Sequence, residues 1–484
     1  MNGAGRAGKL QLKEKRVLVV GLARTGIATA LFCAERGAIV TATDTRSADE
    51  LGECVSKLRD AGVQLQLGGY ADAILHGQEL VVPSPGVPAD SPLLIKAREL
   101  KITVWSEIEL ASRFMRGRLI GITGSNGKTT TTTLVDHILR HAGFTTVLAG
   151  NIGTPLIAQA NKTAEGTVTV AELSSFQLEV IETFRPSIAV LLNLTPDHLD
   201  RHKTFSAYAA AKARIFENQI EEDAAILNLD DAASREIVPS RPEVFWFSRK
   251  TNVEQGAFVS HGKLIFRRSN NEEEILNCDE ISLPGAHNLE NVLAATIAAR
   301  LAGVQSPQIA EAVHSFGGVE HRIEFVAEIH GARYYNDSKA TNVDATLKAL
   351  QAFPGRIIII LGGKDKDSDY TPLRAALREK AILVLLIGSA ADKIAEQIEG
   401  SVAISRSETL ENAVTFAAQV AHSGDIVLLA PACASFDQFQ NYEHRGRVFK
   451  QFVHQLQRND ETRMQGDSKN AANTEKRNAE TFGK

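Results

Sequence analysis

The chain has 484 residues, too many for one hydrophobic core, and at roughly 150 residues per domain it should fold as about three. Its 44% hydrophobic and 23% charged content is that of a soluble globular enzyme, and a formal net charge of −5 argues against the basic stripe of a nucleic-acid protein. The cysteines Cys33, Cys54, Cys278 and Cys433 are far apart with no C-x-x-C pair, so neither a zinc site nor a disulfide framework is implied. Apolar runs such as 381–387 are too short to span a bilayer, and the basic leader 1–16 lacks the apolar segment of a signal peptide. A reduced, cytoplasmic setting is expected, with no membrane and no nucleic-acid partner.

Along the chain, apolar strands alternate with helical patterns, the sequence form of α/β layers with mainly parallel sheets, and no internal repeat is evident. The first strand is predicted over 17–20, followed by Gly21-Leu-Ala-Arg-Thr-Gly26 and a helix through about Arg36. A second strand, 38–43, delivers Asp44, Thr45 and Arg46 at its carboxyl end. This arrangement imitates the dinucleotide fingerprint, but Ala23 replaces the glycine that lets backbone approach a pyrophosphate. Another nucleotide diphosphate, NAD or FAD, and a structural turn all fit it. A strand over 80–82 runs into Pro83-Ser-Pro-Gly86, a turn where α/β sheets hold ligands, and a domain boundary is placed at Ser106.

Next comes Gly121-Ile-Thr-Gly-Ser-Asn-Gly-Lys-Thr-Thr130. Residues 119–122 read as a strand end. From Lys128 a helix is predicted with Leu134, Ile138 and Leu139 on one face and Gly143 as its stop. Between them Gly124, Ser125, Asn126 and Gly127 form a turn whose N–H groups, with the helix N-terminus, make a nest for phosphate oxygens. Lys128 would reach the β/γ-phosphates and the Thr129 hydroxyl would coordinate Mg²⁺. The spacing departs from G-x-x-x-x-G-K-[ST], because Ile122 stands where the first glycine belongs and the glycines fall at 121, 124 and 127. ATP binding is the expectation.

A strand over 167–171 places Glu172 at its end, where a carboxylate commonly binds Mg²⁺; a solvated surface glutamate has the same signature. A strand over 188–192 leads into Asn193-Leu-Thr-Pro-Asp-His-Leu-Asp-Arg-His202, whose Asp and His side chains fit a metal site or a polar loop equally. Residues 208–216 read as an Ala-rich helix in which Lys212, taken alone, is an ordinary exposed lysine. Asn288 and Asn291 share a helical face, suited to an adenine edge or to capping. A third unit opens near residue 319, with strands at 356–361, 382–387 and 426–429. The segments 335–342 and 361–366 concentrate lysine and hydroxyl groups after strands, which suits an anionic ligand. In 431–439 Cys433 has no partner histidine and reads as a small buried residue. Residues 459–484 read as a disordered tail.

The order of these motifs resembles the Mur ligases, the ATP-dependent family that builds the peptide stem of peptidoglycan, and within it the branch that adds D-glutamate. The loop over 123–129 is the family's own version of the phosphate loop, and the resemblance runs from Val17 to about Phe449. It implies a three-domain α/β fold. An N-terminal Rossmann-like domain over 1–106 would bind the UDP substrate. A central P-loop ATPase-like domain over 107–318 would have a mainly parallel sheet. A C-terminal Rossmann-like α/β domain over 319–458 would bind the amino acid.

It also implies roles. Arg24, Thr25, Gly26 and Ser84 would hold the UDP diphosphate, Asp44, Thr45 and Arg46 the uracil, and Asn151 the sugar-nucleotide side. ATP would lie against Gly124, Ser125, Asn126, Gly127, Lys128, Thr129, Thr130, Asn288, Asn291, Arg322 and Asp337. Thr129 and Glu172 would bind one Mg²⁺ and His198 a second, with Lys212 carbamylated by CO₂ to become a metal ligand. His198 is also a candidate base. Lys339, Thr341, Lys366, Ser435 and Phe436 would face the reacting carboxylate or the D-glutamate, with Tyr442 beside it. Lys364 departs from the pattern as an extra lysine. The implied substrates are UDP-N-acetylmuramoyl-L-alanine and D-glutamate, handled by a monomer whose third domain closes to assemble the centre. A sister ligase for another amino acid is the nearer alternative, although the Asp-Asn-Pro-Arg segment of the diaminopimelate- or lysine-adding branch is missing. An NAD-dependent dehydrogenase would leave the phosphate loop without a purpose.

Overall fold

The computed structural model describes residues 10–69, 72–269, 271–281, 283, 285–365 and 367–458, so the expected tail lies outside the described residues. Three α/β domains are built on three sheets. In the first, β1 (Arg16–Val20), β2 (Ile39–Asp44), β3 (Gln64–Leu67), β4 (Leu80–Pro83) and β5 (Thr103–Val104) stand parallel in the order β3-β2-β1-β4-β5. Both faces of β1 and β4 are buried, which is why they read as unbroken apolar runs: helices must cover each side.

The second sheet contains β6 (Arg118–Thr123), β7 (Thr146–Gly150), β8 (Val168–Glu172), β9 (Ile188–Leu191), β10 (Ala224–Asn228), β11 (Glu243–Ser248), β12 (Gly256–Ser260), β13 (Lys263–Arg268) and β14 (Asn271–Asn277). Their order is β14-β13-β12-β11-β10-β9-β6-β8-β7. It is parallel from β7 to β12 and antiparallel at the β12–β13–β14 edge. The Ala-rich helix begins earlier than its alanines suggest. It spans Phe205–Ala213, because the Thr204 hydroxyl accepts from Ala207 N at 3.1 Å and caps it.

The third sheet holds β15 (Glu324–Ile329), β16 (Ala332–Asn336), β17 (Ile357–Gly362), β18 (Ala381–Ile387), β19 (Ile404–Glu408) and β20 (Ile426–Leu429), ordered β15-β16-β20-β17-β18-β19. Only the β15–β16 pair is antiparallel. A last helix covers 442–458.

Apart from residues 283–286, which group with the second, the chain divides into two compact units, one through Phe316 and one from Gly317. The first unit carries two sheets because one apolar cluster, from Leu12 and Val17 to Leu191 and Leu227, runs through both. Arg201 adds a polar tie there, donating to Val87 O at 3.0 Å and to Glu179 Oε2 at 2.7 Å.

Out-of-sequence neighbours mark where each strand order turns: β1/β4 in the first sheet, β6 between β9 and β8 in the second, and β17/β20 in the third. Loops leaving the carboxyl ends of such a strand pair diverge and open a crevice, the usual ligand position in α/β sheets.

Candidate active site

The β6/β9 crevice is built on the phosphate loop. Gly127, the N-cap of the helix Lys128–His141, has φ +84°, and a Cβ there would lie 2.3 Å from Asn291 Oδ1. Gly124 has φ +149°. Gly121 has a different purpose: it sits inside β6, where a Cβ would come within 2.8 Å of Pro186 Cγ, so it serves strand packing rather than the loop. The loop is pinned from β9's side by a residue the motif reading passed over. Asn193 Oδ1 accepts from Asn126 N at 2.9 Å, its Nδ2 donates to Asn126 O at 3.1 Å, and its carbonyl accepts from Ser125 N at 2.9 Å. Its only sequence signal was its place at a strand end. The Ser125 hydroxyl lies 3.0 Å from both Thr195 O and the Tyr208 hydroxyl.

Three further side chains meet the loop. Glu172, at the end of β8, is buried, which removes the solvated-surface alternative. Its Oε2 accepts from the Thr129 hydroxyl at 2.8 Å and its Oε1 from Asn151 Nδ2 at 2.9 Å. Lys128 Nζ donates to Gly124 O and Ser125 O, each at 2.8 Å. Lys212 is not the exposed lysine its local sequence suggests. It is 2% exposed, and its Nζ donates to the same Gly124 O at 2.9 Å. Burial, and then the charge of Lys128, push its pKa down to about 6, against the pull of Asp197 and Glu172. The side chain is therefore a neutral amine at pH 7.

His198 stands apart from this cluster. It is half-exposed at φ +51°, 3.6 Å from Asp197 and edge-on to Phe176 at 4.9 Å. Among the described residues no group of three or more His, Cys, Asp or Glu side chains is gathered for a metal. The Glu172 carboxylate and Thr129 hydroxyl are nonetheless hard oxygen donors of the kind Mg²⁺ takes, and they face each other beside the loop. Thr130 is buried in the first turn of the same helix. Asn288 and Asn291 are buried on the helix Ala286–Ala302; Asn291 Nδ2 donates to Asn288 Oδ1 at 3.1 Å, and its Oδ1 accepts from Thr131 at 3.2 Å. Both lie inside that helix, two and five residues beyond its first residue, rather than at the position before it.

At the β1/β4 crevice, Arg24, Thr25 and Gly26 form the first turn of the helix Arg24–Glu35, whose N-cap Ala23 supplies no side-chain acceptor. Their N–H groups have no intrahelical partner and face outward along the helix axis. Gly26 is required by contact, since a Cβ would fall 1.8 Å from Gly21 O. The Ser84 hydroxyl donates to that carbonyl at 2.6 Å. Asp44 accepts from Leu22 N at 2.6 Å and from the Arg46 side chain at 2.9 and 3.0 Å, and the Arg46 hydrogen bonds foremost hold its carboxyl down at about 2. Thr45 and the Arg46 side chain are exposed beside it.

In the second unit, the buried Asp337 follows β16. Burial raises its carboxyl to about 7 although Arg322, Ile323 N and Lys339 all favour its charge. Lys339 Nζ lies 5.8 Å from the Tyr442 ring centre, and its carbonyl accepts from Thr341 N at 2.8 Å. Ser435 is buried, while Phe436 next to it is 66% exposed, the largest exposure among the large apolar side chains described. Lys364 N donates to Ala434 O at 2.8 Å, and Lys366 lies outside the described residues. Arg445 had no sequence signal at all. Fully buried, it donates to Ser338 O at 2.9 Å, Ser338 Oγ at 3.0 Å, Cys433 O at 3.2 Å and Ala434 O at 3.3 Å, joining the Asp337–Thr341 and Pro431–Phe439 loops.

Comparison with known proteins settles which family uses this framework. The Mur ligase MurD-like N-terminal domain matches residues 15–106, the Mur ligase middle domain 122–299, and the Mur ligase glutamate ligase domain 321–433. A protein of Acidobacterium capsulatum named UDP-N-acetylmuramoylalanine--D-glutamate ligase is 52% identical over 447 residues, 92% of this chain and 97% of its own length. The chain belongs to the Mur ligase family. A protein of the same name from Koribacter versatilis is 52% identical over 448 residues, 92% of this chain and 99% of that one. Among solved structures, a pseudomurein peptide ligase type C from Methanothermus fervidus superposes with a TM-score of 0.57 at 18% identity, over 91% of this chain and all of that one. The MurF ligase from Thermotoga maritima in complex with ADP gives 0.57 at 17% identity, over 92% of this chain and 96% of that one. At such identities the structural likeness bears on the Mur ligase fold, which this chain shares.

Proposed function

We propose that this Mur ligase is an ATP-dependent enzyme that joins D-glutamate to UDP-N-acetylmuramoyl-L-alanine in peptidoglycan precursor synthesis. The observation that carries the reading is 52% identity, over nearly the whole of both chains, to proteins named for that ligation. The phosphate loop with Glu172, Thr129 and Lys212 around it supports the ATP half.

A free carboxylate is a poor electrophile and must be activated. The carboxylate of the UDP-linked alanine attacks the γ-phosphate, giving an acyl phosphate and ADP; the D-glutamate amine then attacks the acyl carbon, loses a proton and expels phosphate. Lys128 and Lys339 counter the phosphoryl charge. Thr129 and Glu172 would hold Mg²⁺, which supplies further charge neutralisation at the phosphates. Lys212 adds to that set as a carbamate: only an unprotonated amine attacks CO₂, and Lys212 is held unprotonated, so loss of one proton yields an anionic ligand in place of an amine. His198 is assigned to the second metal or to the amine's proton. The helix turn at Arg24, Thr25 and Gly26, with Ser84, is assigned to the UDP diphosphate, and Asp44, Thr45 and Arg46 to the uracil. Asn151 is assigned to the sugar nucleotide, Asn288, Asn291, Arg322 and Asp337 to ATP, and Thr341, Lys366, Ser435, Phe436 and Tyr442 to D-glutamate. Domain boundaries at 106 and 318 follow the same reading, as do a monomeric state and a cytoplasmic location. No helix among the described residues is long and apolar enough to cross a membrane.

The test is phosphate release from purified protein given UDP-N-acetylmuramoyl-L-alanine, Mg²⁺-ATP and one amino acid at a time. Release with D-glutamate alone is expected. No release with any amino acid, or equal release with L-glutamate, refutes the reading.

A further inference from the structure

The β17/β20 crevice contains a hydrogen-bonded chain to which the reaction above gives no role. Asp365, in the loop after β17, accepts from Lys393 Nζ at 2.7 Å, from the Tyr370 hydroxyl at 2.8 Å and from Ser368 N at 3.2 Å. Burial opposes its charge, and the hydrogen bonds from Lys393, Tyr370 and Ser368 N overcome it, holding the carboxyl down at about 2. An ionised carboxylate only accepts, so the single phenolic proton of Tyr370 is committed to Asp365. The Tyr370 oxygen must then accept from the thiol of Cys433, whose Sγ is 3.0 Å away. Burial keeps that thiol protonated by raising it to about 11. The direction of every proton is thereby set, from Cys433 to Tyr370 to Asp365, with Lys393 donating from the other side.

The two ends of the chain lie on the two loops of the crevice. Asp365 belongs to the loop after β17, and Cys433 to the loop after β20 that continues into Ser435 and Phe436. Backbone bonds run beside it: Gly362 N donates to Pro431 O and Lys364 N to Ala434 O, both at 2.8 Å. Gly363 has φ +136°, and a Cβ on it would lie 2.3 Å from Ala434 O, so the loops are in direct contact. The Tyr370 ring is fully buried between them and the helix Leu373–Lys380 packed below.

We propose that Asp365 is a positioning residue for the incoming amino acid, holding the β17 and β20 loops in register through Tyr370 and Cys433 so that their ligand-facing groups converge on one carboxylate-bearing substrate. The inference rests on the proposed function, which places the amino acid at this crevice.

The full chain should be assayed with each substrate varied in turn. Asp365→Asn is expected to raise KM for D-glutamate about tenfold or more, with KM for ATP and for the UDP substrate within about twofold of wild type, because small misplacements of binding groups are costly. Tyr370→Phe keeps the ring, removes only the hydroxyl, and should show the same selective rise. The double variant should be no worse than either alone, since both break one chain. An unmoved KM for D-glutamate in both single variants, or an equal rise in all three KM values, overturns the inference while the wild type stays active. A wild type that releases no phosphate with D-glutamate overturns the functional reading, and the inference with it.

Discussion

Replacing Lys212 by methionine, which keeps an unbranched side chain one atom shorter and removes its amine, should stabilise the protein at neutral pH and take away part of its pH dependence. Lys212 is 2% exposed, and its pKa is lowered from 10.5 to about 6, by burial first and by Lys128 second. Between those values the folded chain holds Lys212 neutral and the unfolded chain protonates it, so unfolding takes up a proton. Stability contributed by this site therefore rises with pH across the window, by about 1.4 kcal/mol per unit. At pH 7 the deficit against an ordinary lysine is about 5 kcal/mol, reduced by about 1 kcal/mol for the hydrogen bond to Gly124 O that methionine loses. Thermal unfolding of both proteins in CO₂-free buffer, from about pH 6.5 to about pH 8.5, should show the variant melting higher, with the gap closing by roughly 2 to 4 °C per pH unit. Bicarbonate should then raise the wild-type Tm alone, because carbamate formation removes the buried amine from the proton equilibrium. A gap that does not change with pH, or a variant that melts lower throughout, would refute the assignment of a neutral buried lysine.

Three other outcomes are expected. Lys212→Ala should abolish amino-acid-dependent phosphate release, and acetate or another small carboxylate should restore part of it; full activity without additive, or no restoration, removes the carbamate role. Gly127→Ala places a methyl group 2.3 Å from Asn291 Oδ1 at φ +84° and should cost about 1 to 2 kcal/mol of stability together with ATP affinity measured by calorimetry; unchanged Tm and affinity would show that the loop relaxes freely. Asp337→Asn tests the raised carboxyl. Its folded pKa of about 7 against 3.8 means that this site's stability is present below about pH 4 and is lost as pH rises through 7, so the variant's Tm should lose less than the wild type's over that interval, and parallel curves would refute the shift.

Much of the scaffold was legible locally. The strands near 17–20, 119–122, 356–361 and 426–429 are runs of apolar residues that bury both faces, and such runs carry their own boundaries. The helix from Lys128 was legible because a glycine N-cap and Gly143 bracket it. The edge from β10 to β14 was not foreseen. Strands such as Asn271–Asn277, whose three consecutive glutamates break any alternation even though it pairs with its chain neighbour β13, offer little periodic signal. Gly121 was grouped with the loop glycines by spacing alone, and Pro186 and Leu173, both far along the chain, explain it.

By itself the sequence determined the α/β class, the alternation of sheets and the position of the phosphate loop, since these follow from hydrophobic period, glycine conformation and motif spacing within a few dozen residues. Only the tertiary structure decided the state of the side chains that meet there. Lys212 reads as any lysine in an alanine-rich helix until burial and the nearby charge of Lys128 take its proton away. Asn193, Arg445 and Asp365 acquire meaning only from partners on other loops and helices, because charge and hydrogen bonding depend on neighbours in space more than on neighbours in the chain.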